Sequence, residues 1–420
     1  MRPPSASSLA ISFVGITGLI AGVLLLRVVA FPADIRPLIA VAATALPMLL
    51  WSVFVERAHR DPAAGLDWDD PRPIRAALAT TGVKLLALWA TWTVIAGLYW
   101  LARPLHGSIA YGAKIAAHAL PVLIPASAAY VLMVDRVMRE PRDELWHAGA
   151  LLLRRPDADG GQLAPYARAW AVKGFFLGFM FSILPGGTAA LAGQPLAPLL
   201  NDPVRLAAFA IAAVFTFDLL FGTVGYLCGL RALGTHIRSA NPYLSGWVAA
   251  LICYPPFVLM GPGSVLSYTP GTRPWSDWLA GQPALILAYG ALLVVLAGLY
   301  AWSTVIFGLR FSNLTHRGII TNGPYAWFRH PAYLSKNVFW WFAHLPFLVT
   351  TGPGEAVRNC VLLALVNAVY WWRAKTEEKH LRADPIYVAY ADWTERRLPL
   401  PRVRRVLSRR FGTAASPARP

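Results

Sequence analysis

Charge is scarce in this chain. Only 14% of its 420 residues are Asp, Glu, Lys or Arg, against about 25% in soluble globular proteins, which excludes an ordinary water-soluble enzyme. Acidic residues are the scarcest: 21 Asp and Glu face 38 Lys and Arg, for a formal charge of +17. Cysteine is rare too. Cys228, Cys253 and Cys360 each fall in an apolar run and far from one another, so no disulfide framework or zinc knuckle is readable. There is no Walker loop, no His-Glu-x-x-His pair and no Gly-x-Ser-x-Gly elbow, which removes the commonest signatures of nucleotide, zinc-protease and hydrolase chemistry. Apolar residues fill the space, at 56% of the chain and a mean hydropathy of +0.48. That composition reads as an all-α, polytopic transmembrane helical bundle. The basic excess then points to cytoplasmic loops facing anionic lipid, before any nucleic acid.

A helix needs about 20 apolar residues to cross the hydrocarbon core. Ten runs qualify as expectations: roughly 8–30, 38–55, 76–102, 109–134, 169–192, 204–231, 243–261, 283–307, 332–349 and 355–373. The first follows Arg2 but is longer than a signal-peptide core and reads as an anchor. Thr350 to Gly354 make a tight turn between the last two, which predicts a helical hairpin. With about ten spans and both termini cytoplasmic, 29 basic residues fall inside, five outside and four within helices, as the positive-inside rule requires. The expected localisation is a multi-pass protein of the bacterial inner membrane. The expected organisation is a four-helix membrane region over 1–134, a cytoplasmic loop over 135–168, helices five and six within 169–239, a membrane core over 240–400, and a basic, disordered tail over 401–420.

Inside the spans, Asp218 stands near the middle of the sixth. A carboxylate there costs ~2.5–3.5 kcal/mol on insertion scales, so it faces the bundle interior, as helix glue or as a relay. It is expected to stand apart from any site at the cytoplasmic mouth. Lys84, Lys114 and Lys173 lie near helix ends and are expected to snorkel. In the 135–168 loop, Glu144-Leu145-Trp146 and Leu151-Leu152-Leu153 suit a short surface helix as well as a solvated connector.

The informative stretch begins at Arg310. Gly323-Pro324 marks a turn. Pro331 suits a first helical position, where its missing N–H is no loss. Arg329 and His330 then sit at a helix mouth, beside exposed N–H groups that favour an anion. At helical spacing Tyr333, Asn337, Trp340 and His344 share one face, which must meet protein or a cavity, not lipid. Downstream, Arg373 and Glu377 are placed to pair at i,i+4. Glu378 falls eleven residues after Asn367, on one face with Tyr370 and Trp371.

Taken together, Gly-Pro-Tyr-x3-Arg-His-Pro-x-Tyr followed by Arg-x3-Glu-Glu-x2-Leu and later tyrosines resembles the isoprenylcysteine carboxyl methyltransferase and phospholipid methyltransferase superfamily, integral-membrane enzymes. The motifs cover about 310–400. Ser335 replaces the family's usual Gly, and Asp384-Pro385 replaces a Phe-Gly. The resemblance implies that S-adenosylmethionine is the cofactor, bound at the cytoplasmic face. Gly323, Pro324, Tyr325, His330, Pro331, Tyr333, Glu377 and Glu378 would enclose it, and it would make 240–400 a methyltransferase-like core. A sulfonium methyl suits aromatic faces such as Tyr333, Trp371 or Trp372. Arg329 and Lys336 are candidates to orient the methyl acceptor, and His344 to act as a base. Asn337, Trp340 and Trp371 are candidate acceptor contacts. The implied partner is a lipid-like carboxylate or amine drawn from the membrane, with no nucleic acid and no metal.

Two other readings compete. Sterol-reductase-type membrane enzymes look similar around Arg-His-x-x-Tyr and use NADPH, but lack the Glu-Glu-x-x-Leu segment. A non-enzymatic transporter or lipid-binding protein would rely on Asp218 and the N-terminal helices. The topology itself is testable: reporter fusions at Gly412 and within 262–282 should report opposite compartments, and a shared compartment would end the ten-span arrangement.

Overall fold

The computed structural model describes residues 1–102 and 109–397. Arg103 of the charge count and the 401–420 tail lie outside the described residues. Within them run fourteen α-helices: α1 (Leu9–Val28), α2 (Arg36–Leu50), α3 (Ile74–Ala102), α4 (Ile109–Val137), α5 (Glu144–Leu152), α6 (Leu163–Gly193), α7 (Ala197–Leu200), α8 (Pro203–Leu227), α9 (Leu244–Leu251), α10 (Trp275–Trp278), α11 (Pro283–Val305), α12 (Pro331–His344), α13 (Pro353–Leu381) and α14 (Pro385–Arg397). A two-stranded antiparallel ribbon, β1 (Ser239–Ala240) and β2 (Thr315–His316), pairs Ser239 with His316. Seven helices are long and apolar enough to cross a membrane: α1, α2 extended by a π turn to Val55, α3, α4, α6, α8 and α11. The nearly all-α membrane architecture is as composition requires.

Small residues set the closest helix contacts. Gly15, Gly18 and Gly22 line one face of α1 against α2, and a Cβ on Gly18 would come 2.2 Å from the Ala43 carbonyl oxygen. With no hydrophobic drive between helices in lipid, such backbone approach supplies the packing.

Three expectations need correction. The run 243–261 forms no continuous span: only the eight residues of α9 are helical, ~12 Å of rise. Pro255-Pro256 and Gly261-Pro262-Gly263 stop it, because proline removes donors and clashes with the preceding turn. The chain continues irregularly along α13. Asn241 Nδ2 donates to Thr376 O at 3.5 Å near one end of α13, and Asn359 Nδ2 donates to Pro270 O at 2.7 Å near the other. Irregular backbone survives at this depth where protein covers it. The expected span 332–349 ends early, at His344, with Leu345 in the left-handed region at φ 43°; Pro346 forbids continuation. And Lys84 does not snorkel. It is buried, 2.6 Å from Asp135 and 3.2 Å from Asp143. That pair anchors α5, whose Trp146 is buried, so the 135–168 loop packs on the bundle and is not a solvated connector. Lys114 is exposed and pairs with Asp34 at 2.8 Å.

Two helices run side by side in the same direction. Gly290 of α11 sits against Ala207 of α8, and ten residues on along α11 and eleven along α8, Tyr300 bonds Asp218 at 3.0 Å. Their C-terminal ends therefore meet, and Arg317 stands between them. It is 3% exposed. Its Nε donates to Thr235 O (2.6 Å), Nη1 to Gly225 O and Phe311 O (both 2.8 Å), and Nη2 to Leu309 O (2.9 Å). Arg310 does similar work, with Nη1 donating to Gly234 O at 2.6 Å and Arg317 O at 2.8 Å.

Arg317→Met should destabilise the detergent-purified protein by about 3 kcal/mol or more, since several buried carbonyls lose a charged donor at ~1–3 kcal/mol each. Arg317→Lys should recover only part, because a point-like ammonium cannot span acceptors that a planar fork reaches. Thermal unfolding decides it; a midpoint unchanged in Arg317→Met would show the guanidinium to be dispensable.

Candidate active site

The site forms where α12, α13 and α14 close over the segment that follows α11. Gly323, at φ 55°, opens a 3-10 turn over Gly323–Ala326. A Cβ there would lie 3.0 Å from Ile306, so only glycine lets the turn seat this closely. Pro331 opens α12 as expected, with His330 as the capping residue. Serine at 335 is accommodated by bonding its own helix, donating to Pro331 O at 2.8 Å. The α13 helix runs past the apolar stretch to Leu381, which carries both glutamates beside the Arg329-His330 mouth.

The two glutamates face different ways. Glu378 is buried behind the mouth: its Oε1 lies 3.1 Å from His330 Nε2 and 3.7 Å from Arg329 Nη1, and its Oε2 accepts from Lys375 at 3.0 Å. Burial alone would push the Glu378 carboxyl up. The hydrogen bonds from His330 and Lys375 and the Arg329 charge outweigh burial and hold it down at about 2. Glu377 lines the cavity. It accepts a short hydrogen bond from the Tyr333 hydroxyl and pairs with Arg373 at 3.4 Å. Arg373 in turn donates to Asn313 Oδ1 at 2.6 Å. Arg329 also meets Glu395 of α14 at 3.3 Å, yet its Nη1, though buried, makes no hydrogen bond of acceptable geometry.

Other walls of the cavity come from Asn241, Tyr254, Tyr300, Phe307, Asn313, Lys336 and Tyr370, and α14 supplies Tyr387 and Tyr390. The Tyr390 hydroxyl donates to Tyr325 O at 2.7 Å, tying α14 to the 3-10 turn. The chain's first residues reach the same wall. Ala6 N donates to Ile319 O at 2.9 Å, Thr321 Oγ1 to Pro3 O at 2.9 Å, and Asn322 Nδ2 to Ser7 O at 2.8 Å. Ile319 and Ile320 line the cavity.

Of the candidate residues, Tyr325, Arg329, His330, Tyr333, Lys336 and Glu377 line this one cavity, and Gly323, Pro324 and Pro331 shape its turn and helix start. The expected stripe on α12 faces protein along most of its length. Asn337 meets Asn367, which in its satisfied orientation donates to Asn337 Oδ1 at 3.2 Å. Trp340 packs on Tyr370 with ring centroids 5.2 Å apart, and His344 on Tyr268 at 5.4 Å. His344 lies fourteen positions along α12 from His330, ~20 Å of rise, and is not brought to the cavity. Trp371 points outward, 65% exposed. Tyr333 has little free π surface: His330 stacks on it at 5.7 Å and the Arg373 guanidinium lies over it at 5.3 Å.

Sequence reasoning missed Tyr300, Asn313, Tyr254 and Asn241, and saw Arg373 only as a partner for Glu377. Tyr254 and Tyr300 carry no motif; they look like any aromatic in an apolar run. Asn313, three residues after Arg310, was the readable signal, as an amide between two basic positions.

These motifs have relatives. Residues 283–383 match the isoprenylcysteine carboxyl methyltransferase (ICMT) family. The matched stretch is about a quarter of the chain, begins with α11 and stops at Ala383 before α14. The C-terminal region is thus ICMT-like, as its motifs implied, and the match gives no support to the reductase or the transporter. No curated protein and no solved structure matches the chain.

At the edge of the cavity, which His380 lines, Ser239 bonds His380 Nε2 at 2.8 Å and His316 meets Asp384 at 3.0 Å. Burial, then the charges of His316 and Arg168, push His380 down to about 4. A folded pKa below the unfolded 6.5 means that the unfolded chain binds the proton first. Stability should therefore fall as pH drops from about 6.5 to about 4. His380→Gln should flatten that part of a melting-temperature profile; a profile identical to wild type would remove His380 from the account.

Proposed function

We propose that the protein is an integral-membrane methyltransferase that takes its methyl group from S-adenosylmethionine and delivers it to a lipid-like acceptor at the cytoplasmic face. The observation that carries this reading is the joining of the two ICMT motifs in one cavity, where Arg329, His330 and Glu377 share the wall and His330 Nδ1 lies 3.9 Å from Glu377 Oε2. That donor set fits the cofactor. A carboxylate suits the α12 start, where His330 and the incompletely bonded Arg329 stand. An ammonium or ribose hydroxyl suits Glu377. Bound there, S-adenosylmethionine supplies an electrophilic methyl carbon.

The chain's own residues do the rest. The tyrosine-rich walls and α14 exclude water, and a dry site strengthens every charge interaction within it. Methyl transfer needs the acceptor atom about 3–3.5 Å from the methyl carbon and in line with the bond that breaks; no covalent nucleophile is required. Lys336, on the cavity wall, is the candidate to seat an anionic acceptor head. Glu378 acts one step back, by holding His330 and Arg329 in place.

The membrane arrangement belongs to this reading. The chain passes from one end of the bundle to the other ten times, with the broken 241–274 segment as the seventh passage and α12 and α13 as the ninth and tenth. The N-terminal residues and the end of α13 lie together at the end that carries the cavity. We assign that end to the cytoplasm on the basic-residue distribution.

Calorimetry on detergent-purified protein tests the cofactor assignment. S-adenosylmethionine should bind saturably and NADPH should not. His330→Ala and Glu377→Gln should each weaken binding ten- to hundredfold, from loss of a charged hydrogen bond worth ~1.5–3 kcal/mol. Glu378→Gln should cost less, because Glu378 stands behind the wall and not on it. Binding of NADPH in place of S-adenosylmethionine would transfer the protein to the reductases.

A further inference from the structure

Asp218 belongs to α8, outside the ICMT-matched region, yet it stands directly behind the cavity. Its Oδ2 accepts a 3.0 Å hydrogen bond from the Tyr300 hydroxyl. Thr304 stands beside the same carboxylate, while Oδ1 is buried without a hydrogen bond of acceptable geometry. Tyr300 and Thr304 both line the cavity, next to Lys336.

Lys336 is held unusually. Its Nζ lies 5.0 Å from the Tyr300 ring centroid, 5.2 Å from Trp340 and 5.6 Å from Tyr370. Among the described residues no carboxylate comes within ion-pair distance of it. A lysine on a membrane helix would ordinarily extend towards water. Here three rings frame the ammonium, and Asp218 stands behind the Tyr300 ring, bonded to its hydroxyl. Cation–π attraction from the three rings holds the Lys336 side chain in the wall, with its direct ion-pair position free.

We propose that Asp218 is a positioning residue that acts through Tyr300 to hold Lys336 in the cavity wall, and that this three-helix chain selects the acceptor by the charge of its head. It rests on the methyltransferase reading for the word acceptor, but its test does not need turnover. Asp218 fixes the Tyr300 ring; Tyr300 supports the ammonium; the ammonium meets the incoming anionic group. A carboxylate that merely glued α8 to α11 would affect stability and leave charge selection alone.

The test is competition for the cavity on the full-length, detergent-purified protein. A fluorescent fatty-acid probe is displaced by palmitate, hexadecanol or hexadecylamine, which share one chain and differ in head charge. Wild type should prefer palmitate. Lys336→Met should lose that preference, roughly tenfold, as for a lost charged contact. Asp218→Asn and Tyr300→Phe should each weaken palmitate selectively and by similar factors. The double variant should be no worse than either single one, because both act on one chain. Asp218→Glu should restore part of the preference. Affinity for S-adenosylhomocysteine should be unchanged throughout. Tyr300→Phe keeps the ring and the fold, so it decides the matter should Asp218→Asn prove unstable. The proposal is overturned if Tyr300→Phe keeps the wild-type preference, if the two losses multiply, or if wild type does not distinguish palmitate from hexadecanol. Failure of wild type to bind S-adenosylhomocysteine would instead sink the methyltransferase reading and leave the Asp218 result standing.

Discussion

A single guanidinium closes the end of the bundle that carries the cavity. Because α8 and α11 lie parallel, their C-terminal carbonyls and the negative ends of their dipoles come together, an arrangement that repels itself. Arg317 places its positive charge there and donates to Gly225, Leu309, Phe311 and Thr235 at once. The segment after α11, which carries the cavity's floor and the Gly323 turn, departs from this knot. Arg310 repeats the device one layer out. Part of the chain's basic excess is thus spent on capping helices and never faces lipid.

The cavity above that knot is a meeting of charges with unequal depth. At the mouth, Glu378 gathers Arg329, His330 and Lys375 around the start of α12, while Arg329 also reaches Glu395 and His330 also reaches Glu377. One residue earlier on α13, Glu377 turns to the interior with Tyr333 and Arg373. Adjacent positions on a helix point about 100° apart, so two neighbouring carboxylates can serve a scaffold and a cavity separately. Deeper, Lys336 sits among three aromatic rings and, among the described residues, meets no carboxylate at ion-pair distance. On the proposed reading, this passage from paired to unpaired cations along α12 is what would make the inner end receptive to an anion.

Much of this was legible in the sequence, and the limits have physical reasons. The long helices announce themselves because lipid demands unbroken apolar runs. Pro331 and the Arg329-His330 mouth are legible because helix starts obey local rules. The 243–261 segment misled because hydropathy measures burial and not conformation: its prolines break the helix while α13 covers the exposed backbone. His344 and Trp371 misled because helical spacing gives a shared face but not what that face meets; α13 and Tyr268 take the first, and the outer surface takes the second. Glu378 was expected to be the carboxylate that meets the cofactor, with Glu377 mainly paired to Arg373; Glu377 lines the cavity as well as pairing with Arg373, and Glu378 stands behind it, because one residue of register separates them. Asp218 was expected to stand apart because depth along the chain hides the lateral contact that α11 provides. Lys84 looked like a helix-end lysine since its partner Asp135 lies on another helix.

The tether between the first residues and the cavity wall has a consequence for assembly. Ser7 and Asn322 are 315 positions apart in sequence, so the wall cannot be completed until almost the whole chain has been made and inserted. Contacts of such separation form late, since the loop they close must first be paid for in entropy. A chain still emerging therefore holds its N-terminal segment without a partner, and the helices of the first half must reach their places unaided by the site they will support. The cavity becomes a report on completion: its wall closes only when the first residues and the segment around Asn322 have come to the same side and joined.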